Sequence, residues 1–510
     1  MHNLILMQNQ LNVSNYPNRG KYKMGVKDKD TKQKGYKLTL ITFTLITGAA
    51  LLQTRDYPTM AVTGWNTIVF NFLAVIMFLI PCTLVAAELS TGWPGEGGVY
   101  RWVKEAFGEH WGFTASWLQW FQMTIAFVTI MAFIAGVLAY IIDPALAVNK
   151  LFIFLIIILV WWGVTFVDFR GLKTSSIISS IFLIFGVFLP MAILVVGGAT
   201  YIASGAPISL TTQPTWNDLI PNLTDLRSIV LLVTFTFTYT GIEITSAHAE
   251  DMKNVHRDYP LGVFIIGLIA AVSSIIGSLV VGLILPVQNL VLTAGLMQTY
   301  ETIFSWFGLG WMIPIIAILI AIGSIGKITT WVLGPVRGLG RAAKEGLLPP
   351  ILQKHNKAGV PVSMLILQAV FVSIWGIIFV LLPGGVNSAF WMLLALTTTV
   401  YIVMYILMYL AAIKLRYSQP TVKRAFKIVG GKVGMWAISG WGIVSMLIIF
   451  VLALLPPTQA NVESISLIVF EALMIVGTIG VVLIPQVIYW KRNPRWASKK
   501  QLKMEKGQAN

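Results

Sequence analysis

The chain has 510 residues, of which 56% are hydrophobic and only 11% are charged. A soluble domain carries roughly 25% charged residues, so this composition excludes an ordinary soluble protein and indicates a polytopic membrane protein. The net charge is +16. The positions of the basic residues along the chain show whether this charge indicates a binding partner or the membrane topology. The single cysteine, Cys82, lies in an apolar run, which excludes a disulfide framework and a cysteine metal site.

The apolar runs of the chain predict its membrane helices. Residues 1–36 are polar and basic, without a run that resembles a cleavable signal, and predict a cytoplasmic tail. Twelve runs follow, each close to the length of about 20 residues that spans a bilayer. They are residues 38–53, 65–87, 112–142, 151–167, 175–203, 229–247, 261–285, 310–333, 362–382, 389–413, 434–455 and 465–490. We therefore predict an all-α protein with about 12 transmembrane helices.

The basic residues predict the orientation of these helices. With both termini placed inside, 32 of the 36 Lys and Arg residues fall on the inner side, whereas only Arg55, Lys150 and Arg227 fall in outer loops. This bias predicts an even number of spans with cytoplasmic termini. The positive charge thus indicates topology and contact with anionic lipid rather than with nucleic acid. The tail at 491–510 is expected to be solvated, with closure of the inner mouth as the alternative.

Two of the runs contain residues that weaken a helix. The sixth run holds Gly241 and, two residues later, Glu243, a carboxylate that is costly at bilayer depth unless it is paired or faces water. The first run holds Thr47 and Gly48 near its middle. Two interrupted helices, one opening each half, are typical of inverted-repeat transporters with a substrate site at the midplane. The alternative for each glycine is close packing between helices.

Seven short patches carry a family resemblance. They are YPTMAVTG at 57–64, GWPGEGGVYRWV at 92–103, GIEITSAH at 241–248, RDYPL at 257–261, AGLMQT at 294–299, WVLGPVRGL at 331–339 and KRAFKIVGGK at 423–432. Together they resemble the amino acid–polyamine–organocation superfamily and, within it, bacterial glutamate/GABA antiporters, from about residue 38 to residue 490.

The resemblance implies a leucine-transporter-like fold in a bacterial cytoplasmic membrane. It places a first inverted repeat at 37–203, a second at 204–413 and two extra helices at 414–490. It also implies an antiporter that takes up a glutamate-like or neutral amino acid and releases its decarboxylation product, such as GABA. A cytosolic decarboxylase would then link exchange to acid resistance. Histidine/histamine exchange, tyrosine/tyramine exchange and a proton-coupled permease stay open, as do a channel, a membrane-embedded sensor and a homodimer.

The candidate site residues fall into three groups. Half-helix ends and freed backbone groups of the interrupted segments are expected to hold an amino acid, which selects Thr47, Gly48, Ala49, Tyr239, Thr240 and Gly241. The resemblance adds Tyr401 and Tyr405, which are four residues apart and so share a helix face. It also assigns Glu243, whose carboxyl can change protonation during a cycle, to proton coupling.

Lys327 and Arg55 depart from the pattern, since the relatives have a glutamate and a tyrosine at these positions. Lys327 lies inside the eighth run and must pair, lose its proton or face water. It is assigned to proton coupling, either by pairing with Glu243 or by replacing a bound sodium ion, and a structural cation is the alternative. Arg55 is placed at the rim of the pocket. Two cations there disfavour a dicationic amine and favour an acidic or neutral amino acid.

Other classes of function find no support in the sequence. No phosphate-binding loop of the G-x-x-x-x-G-K-[ST] type occurs, so no ATP drive is predicted. None of the five histidines is centred in an apolar run, so no metal is expected. The prediction is thus a transporter and not an enzyme, with no cofactor, whose partners are amino acid and amine substrates and the lipid bilayer.

Overall fold

The computed structural model describes residues 38–94, 97–170, 183–222, 229–245, 252–357, 359–456, 467–493 and 496–497. The predicted N-terminal tail, Arg227 and most of the predicted C-terminal tail lie outside these ranges. The described residues all belong to one compact unit, which starts at Leu38.

The described residues form an all-α structure. The helices are α1 Leu40–Leu51, α2 Tyr57–Ala61, α3 Gly64–Gly92, α4 Val99–Phe107, α5 Glu109–Ile142, α6 Lys150–Asp168, α7 Ile184–Ala203, α8 Leu232–Thr238, α9 Val255–Ile284, α10 Gly295–Trp306, α11 Ile313–Lys344, α12 Val362–Leu381, α13 Val386–Ser418, α14 Gly431–Ala453 and α15 Leu467–Trp490. Short helical turns lie between them, among them Trp216–Leu219. Within the described ranges, the β-structure consists of an isolated bridge between Leu38 and Met252.

Ten of the helices in the described ranges are long and apolar enough to cross a membrane. They match ten of the twelve predicted spans, which makes the chain a multi-pass membrane protein. The two remaining runs, the first and the sixth, are the ones that contain Gly48 and Gly241. There the described chain forms the shorter helices α1, α2 and α8 in place of a continuous span.

Helix α5 lies at the centre of the molecule. Its residues are apolar on all sides and nearly all buried, as expected for a helix surrounded by other helices. It packs against α4, α6, α11, α12, α13 and α15. By contrast, α14 and α15 keep many large apolar side chains exposed, which suits helices that face lipid.

The two interrupted segments contact each other. Thr238 Oγ1, in the sixth segment, donates to Asp56 Oδ2, in the first, at 2.7 Å. The start of the first segment also lies beside the chain that precedes α9, because the backbone N–H of Lys253 donates to the carbonyl of Leu38 at 3.2 Å. The domain boundaries of the two predicted repeats stay a prediction.

Two sequence expectations are corrected here. Residues 57–64, which lie between the first two predicted spans and therefore in the predicted outer loop that holds Arg55, begin with helix α2, whose five residues are all buried. Because this part of the chain is inside the protein, Arg55 is not in an outer loop and is only 4% exposed. The eighth span, predicted to end at residue 333, continues as α11 through Pro335 to Lys344. Membrane helices tolerate such prolines when neighbouring groups satisfy the freed carbonyl.

Charged clusters join helix ends on the predicted inner face. Glu88 accepts hydrogen bonds from Arg416 at 2.9 Å and from the backbone of Ile428 at 2.8 Å. Glu345 accepts from Lys104, Tyr100 and Arg341, which ties α11 to α4. Burial raises the pKa of the Glu345 carboxyl, but the bonds from Lys104 and Tyr100 outweigh it and lower that pKa below its usual range. This second cluster therefore stays ionised at neutral pH.

Candidate functional site

The first interruption lies between α1 and α2. Helix α1 ends at Leu51, and Leu52 already has extended backbone with φ −70° and ψ 131°. Residues 53–56 connect it to α2, whose first turn contains Pro58. A proline is common in the first turn because its missing N–H has no helical partner there. This segment therefore brings a run of polar side chains into the membrane core.

The second interruption follows α8. Gly241 has a φ of +101°, a conformation that strains residues with a side chain. A Cβ added at Gly241 would lie 2.2 Å from two ring carbons of Trp331. Glycine is thus required both by the backbone and by the close approach of α11.

Replacing Gly241 with alanine is expected to destabilise the protein by about 1–3 kcal/mol from backbone strain alone and to slow transport. The matched control is Gly163→Ala, because Gly163 lies in α6 with nothing within 4 Å of an added Cβ. Thermal unfolding in detergent and uptake into proteoliposomes measure both effects. If Gly241→Ala unfolds and transports like Gly163→Ala, the interruption does not depend on this glycine.

A cavity lies between the two interruptions, α5 and α11. Its volume is about 20 Å³, well below the roughly 300–1,000 Å³ of a typical small-molecule site, so the cavity must widen to admit a ligand of that size. Its polar and aromatic lining comes from Gln53, Arg55, Gln122, Phe237, Thr240, Lys327 and Trp331. The remaining lining residues are apolar and lie mainly on α5.

The charged groups of the cavity form one hydrogen-bonded network. Arg55 Nε donates to Asp56 Oδ1 at 2.9 Å, and Lys327 Nζ donates to Gln53 Oε1 at 2.6 Å. Gln53 in turn donates to Asp56. With Lys327 protonated, the network holds two cations and one carboxylate, which leaves one positive charge in excess. The hydrogen bond that the described structure shows for Lys327 goes to Gln53, a partner that the sequence did not predict, and the pairing of Lys327 with Glu243 stays a prediction.

Two buried atoms of the lining have no hydrogen-bond partner within the described part of the chain. One is Nη2 of Arg55, a charged donor, and the other is Oε1 of Gln122, an acceptor. Leaving a buried polar atom without a partner typically costs about 1–3 kcal/mol. A donor and an acceptor of this kind in one cavity suit a ligand that carries both a carboxylate and an amine.

Glu243 lies beside the cavity in a second network. Its carboxylate accepts from Tyr401, from Tyr405 at 2.8 Å and from Gln119 at 3.2 Å. The backbone N–H of Gly241 donates to the Tyr405 hydroxyl at 3.3 Å, which connects this network to the second interruption. The carboxylate is buried in the described structure. A change in the protonation of Glu243 would therefore alter the hydrogen bonds at the second interruption.

The structure brings part of the predicted site together. Arg55, Thr240 and Lys327 line the cavity, and Gly241, Glu243, Tyr401 and Tyr405 meet next to it. The Tyr239 hydroxyl instead donates to Asn71 at 2.7 Å, on α3.

Thr47, Gly48 and Ala49 lie inside α1, before the interruption and outside the cavity lining. A Cβ at Gly48 would lie 2.9 Å from Ile266 Cδ1, so this glycine allows close packing with α9. The expectation that the first break falls near Gly48 is therefore corrected to residues 52–56.

Sequence reasoning missed Gln53, Asp56, Gln122 and Trp331. The run Gln-Thr-Arg-Asp before Tyr57 and Pro58 was a usable signal, because a proline after polar residues indicates a new helix start. Gln122 and Trp331 had no comparable signal, since each lies within a regular apolar helix.

A helical membrane protein with two interrupted segments around a polar cavity has the architecture of a secondary transporter. Comparison with known proteins identifies the family. A family model described as amino acid permease matches residues 36–481. The chain belongs to this family, within the amino acid–polyamine–organocation superfamily.

Several curated relatives cover most of the chain. An uncharacterised transporter of Legionella pneumophila is 35% identical over 90% of this chain and 98% of its own length. A glutamate/gamma-aminobutyrate antiporter of Lactococcus lactis is 31% identical over 89% of this chain and 90% of its own length. A probable agmatine/putrescine antiporter of the same species is 25% identical over 70% of this chain and 74% of its own length.

Proposed function

We propose that the protein is a secondary antiporter that takes up an acidic, glutamate-like amino acid and releases its decarboxylation product, such as GABA. It acts in the bacterial cytoplasmic membrane with both termini in the cytoplasm. The antiporters among its relatives support exchange as the mode of transport.

The observation that carries this proposal is the pair of cavity atoms that have no hydrogen-bond partner among the described residues. Decarboxylation of glutamate removes the α-carboxylate and keeps the amine and the side-chain carboxylate. A site that exchanges the two compounds must recognise the groups that they share. Arg55 Nη2 can donate to the shared carboxylate, and Gln122 Oε1 can accept from the shared amine.

The charge of the cavity supports an acidic substrate. With Lys327 protonated, Arg55 and Lys327 supply two positive charges and Asp56 supplies one negative charge, all within one network. In a medium of low dielectric constant, an excess positive charge favours a substrate with a net negative charge. A dicationic amine such as putrescine would be repelled, although a relative is named for such a substrate.

Exchange of this kind serves acid resistance when a cytosolic decarboxylase supplies the internal product. Decarboxylation consumes a proton in the cytosol, and export of the product allows the cycle to continue. Glu243 is the group that we assign to the pH response of the carrier. We place Thr240, Gly241, Tyr401 and Tyr405 around the substrate as supporting groups.

Counterflow in proteoliposomes tests the proposal. Internal unlabelled GABA should accelerate uptake of labelled glutamate, and empty vesicles should take up little. Unlabelled glutamate, GABA, histidine, histamine, tyrosine, tyramine, agmatine and putrescine should be compared as competitors at acidic and neutral pH. Uptake that needs no internal partner would indicate a channel or permease, and inhibition by histamine, tyramine or putrescine alone would overturn the substrate assignment.

A further inference from the structure

Asp56 lies in the first interruption and is 1% exposed. Its carboxylate accepts from Arg55 Nε at 2.9 Å, from Gln53 and from Thr238 Oγ1 at 2.7 Å. Three donors satisfy most of the acceptor capacity of a buried carboxylate. Asp56 is thus held in the site by hydrogen bonds, although it does not itself line the cavity.

The partners of Asp56 come from three parts of the fold. Arg55 and Gln53 belong to the first interruption, and Thr238 is the last residue of α8. Gln53 also accepts from Lys327, which lies on α11. One carboxylate therefore connects both interrupted segments and both cations of the cavity.

Asp56 also determines where the free N–H of Arg55 points. The guanidinium is planar, so two hydrogen bonds fix its orientation. One goes from Nε to Asp56 and the other from Nη1 to Thr129 Oγ1, each at 2.9 Å. With both in place, Nη2 is left as the donor without a partner in the described structure.

We infer that Asp56 is a positioning and specificity-determining residue, which holds Arg55 ready for a substrate carboxylate. The inference rests on the proposed function, because it assumes that a substrate carboxylate is what Arg55 binds. It adds that selection of acidic over neutral amino acids depends on an acid that the substrate does not touch.

The test compares glutamate with glutamine, which has the same shape but lacks the side-chain carboxylate. The measured quantity is the ratio of their inhibition constants in the proteoliposome assay. Asp56→Asn is expected to reduce the preference for glutamate by about tenfold, the loss typical of a misplaced charge-assisted hydrogen bond. Asp143→Asn is the control, because Asp143 is exposed and caps a short turn, which asparagine also does well.

A double-mutant cycle separates positioning from a merely structural role. If Asp56 acts through Arg55, adding Asp56→Asn to Arg55→Gln should not reduce the glutamate preference further. If Asp56→Asn reduces the glutamate preference by the same factor in the wild-type protein and in Arg55→Gln, the inference is wrong. It is also wrong if the Asp56→Asn protein binds both compounds less well by the same factor, since a general defect of folding has that effect.

Thr129→Val keeps the test decisive if Asp56→Asn does not accumulate. It removes the partner of Arg55 Nη1 with little change in volume, so it should also reduce the preference for glutamate, by a smaller factor. An unchanged preference in Thr129→Val would overturn the inference. If the wild-type protein transports neither glutamate nor GABA, the proposed function is wrong as well. If the wild type prefers glutamate over glutamine and the variants keep that preference, only this inference is wrong.

Discussion

Replacing Arg55 with glutamine is expected to raise the KM for glutamate and for GABA by about 10- to 100-fold. A hydrogen bond to a charged group contributes about 1.5–3 kcal/mol, and 1.4 kcal/mol corresponds to a factor of ten in affinity. The substitution removes the unpartnered donor Nη2 from the cavity. It also leaves Asp56, which is 1% exposed, without its ion-pair partner.

Competition by glutamine measures whether the loss is specific. Glutamine has no side-chain carboxylate, so its inhibition constant should change much less than that of glutamate. Arg55→Lys should lie between wild type and Arg55→Gln, because lysine keeps the charge but not the planar fork. Arg492→Gln, at an exposed ion pair, is the control with little effect. Equal losses for glutamate and glutamine would show that Arg55 supports the fold and not the substrate.

Replacing Glu243 with glutamine is expected to remove most of the pH dependence of exchange. A carboxyl can gain and lose a proton during the transport cycle, whereas an amide cannot. Glu243 accepts from two tyrosine hydroxyls and from Gln119, and Tyr405 also accepts from the backbone of Gly241. A change at the carboxyl therefore alters the hydrogen bonds of the second interruption. Initial rates of exchange from pH 5 to pH 8 measure the effect.

Two further variants make the pH profile interpretable. Glu243→Asp keeps a titratable group and should retain a pH response, even if its rate falls because the shorter side chain reaches the tyrosines less well. Glu471→Gln removes a carboxyl from α15, a helix that contributes no side chain to the two networks described above, and should leave the profile unchanged. A Glu243→Gln protein with the pH profile of wild type would exclude this residue from proton coupling.

Much of the fold follows from the apolar runs. The run at 362–382 matches α12 at Val362–Leu381, and the run at 465–490 matches α15 at Leu467–Trp490. These boundaries are predictable because the thickness of the bilayer limits each run. The arrangement of the helices relative to one another is set by tertiary contacts. A helix that is apolar on all sides has no single apolar face, so its sequence does not predict which helices it packs against.

The sequence alone does not predict which of the two glycines, Gly48 or Gly241, interrupts its helix. Gly48 and Gly241 look alike in the sequence, since each is a glycine among threonines and apolar residues. The structure separates them, because Gly48 gives room to Ile266 while Gly241 adopts a positive φ against Trp331. A glycine signals either close packing or backbone freedom, and only tertiary contacts decide between them.

The network around Asp56 could not be predicted for a related reason. Asp56 and Thr238 are 182 positions apart, and Lys327 reaches the acid only through Gln53. The sequence indicates that each buried charge needs a partner but does not identify that partner. Arg55 and Lys327 were therefore recognisable as candidates, while the acid that orients them was not.

A structure of the protein determined with saturating glutamate tests the central claim most directly. The claim is that the cavity between the two interrupted segments binds the transported amino acid. We expect ligand density there, with its side-chain carboxylate within hydrogen-bond distance of Arg55 Nη2 and its amine near Gln122 Oε1. Density for glutamate at another place, or a cavity that stays filled by protein side chains throughout the transport cycle, would contradict the claim.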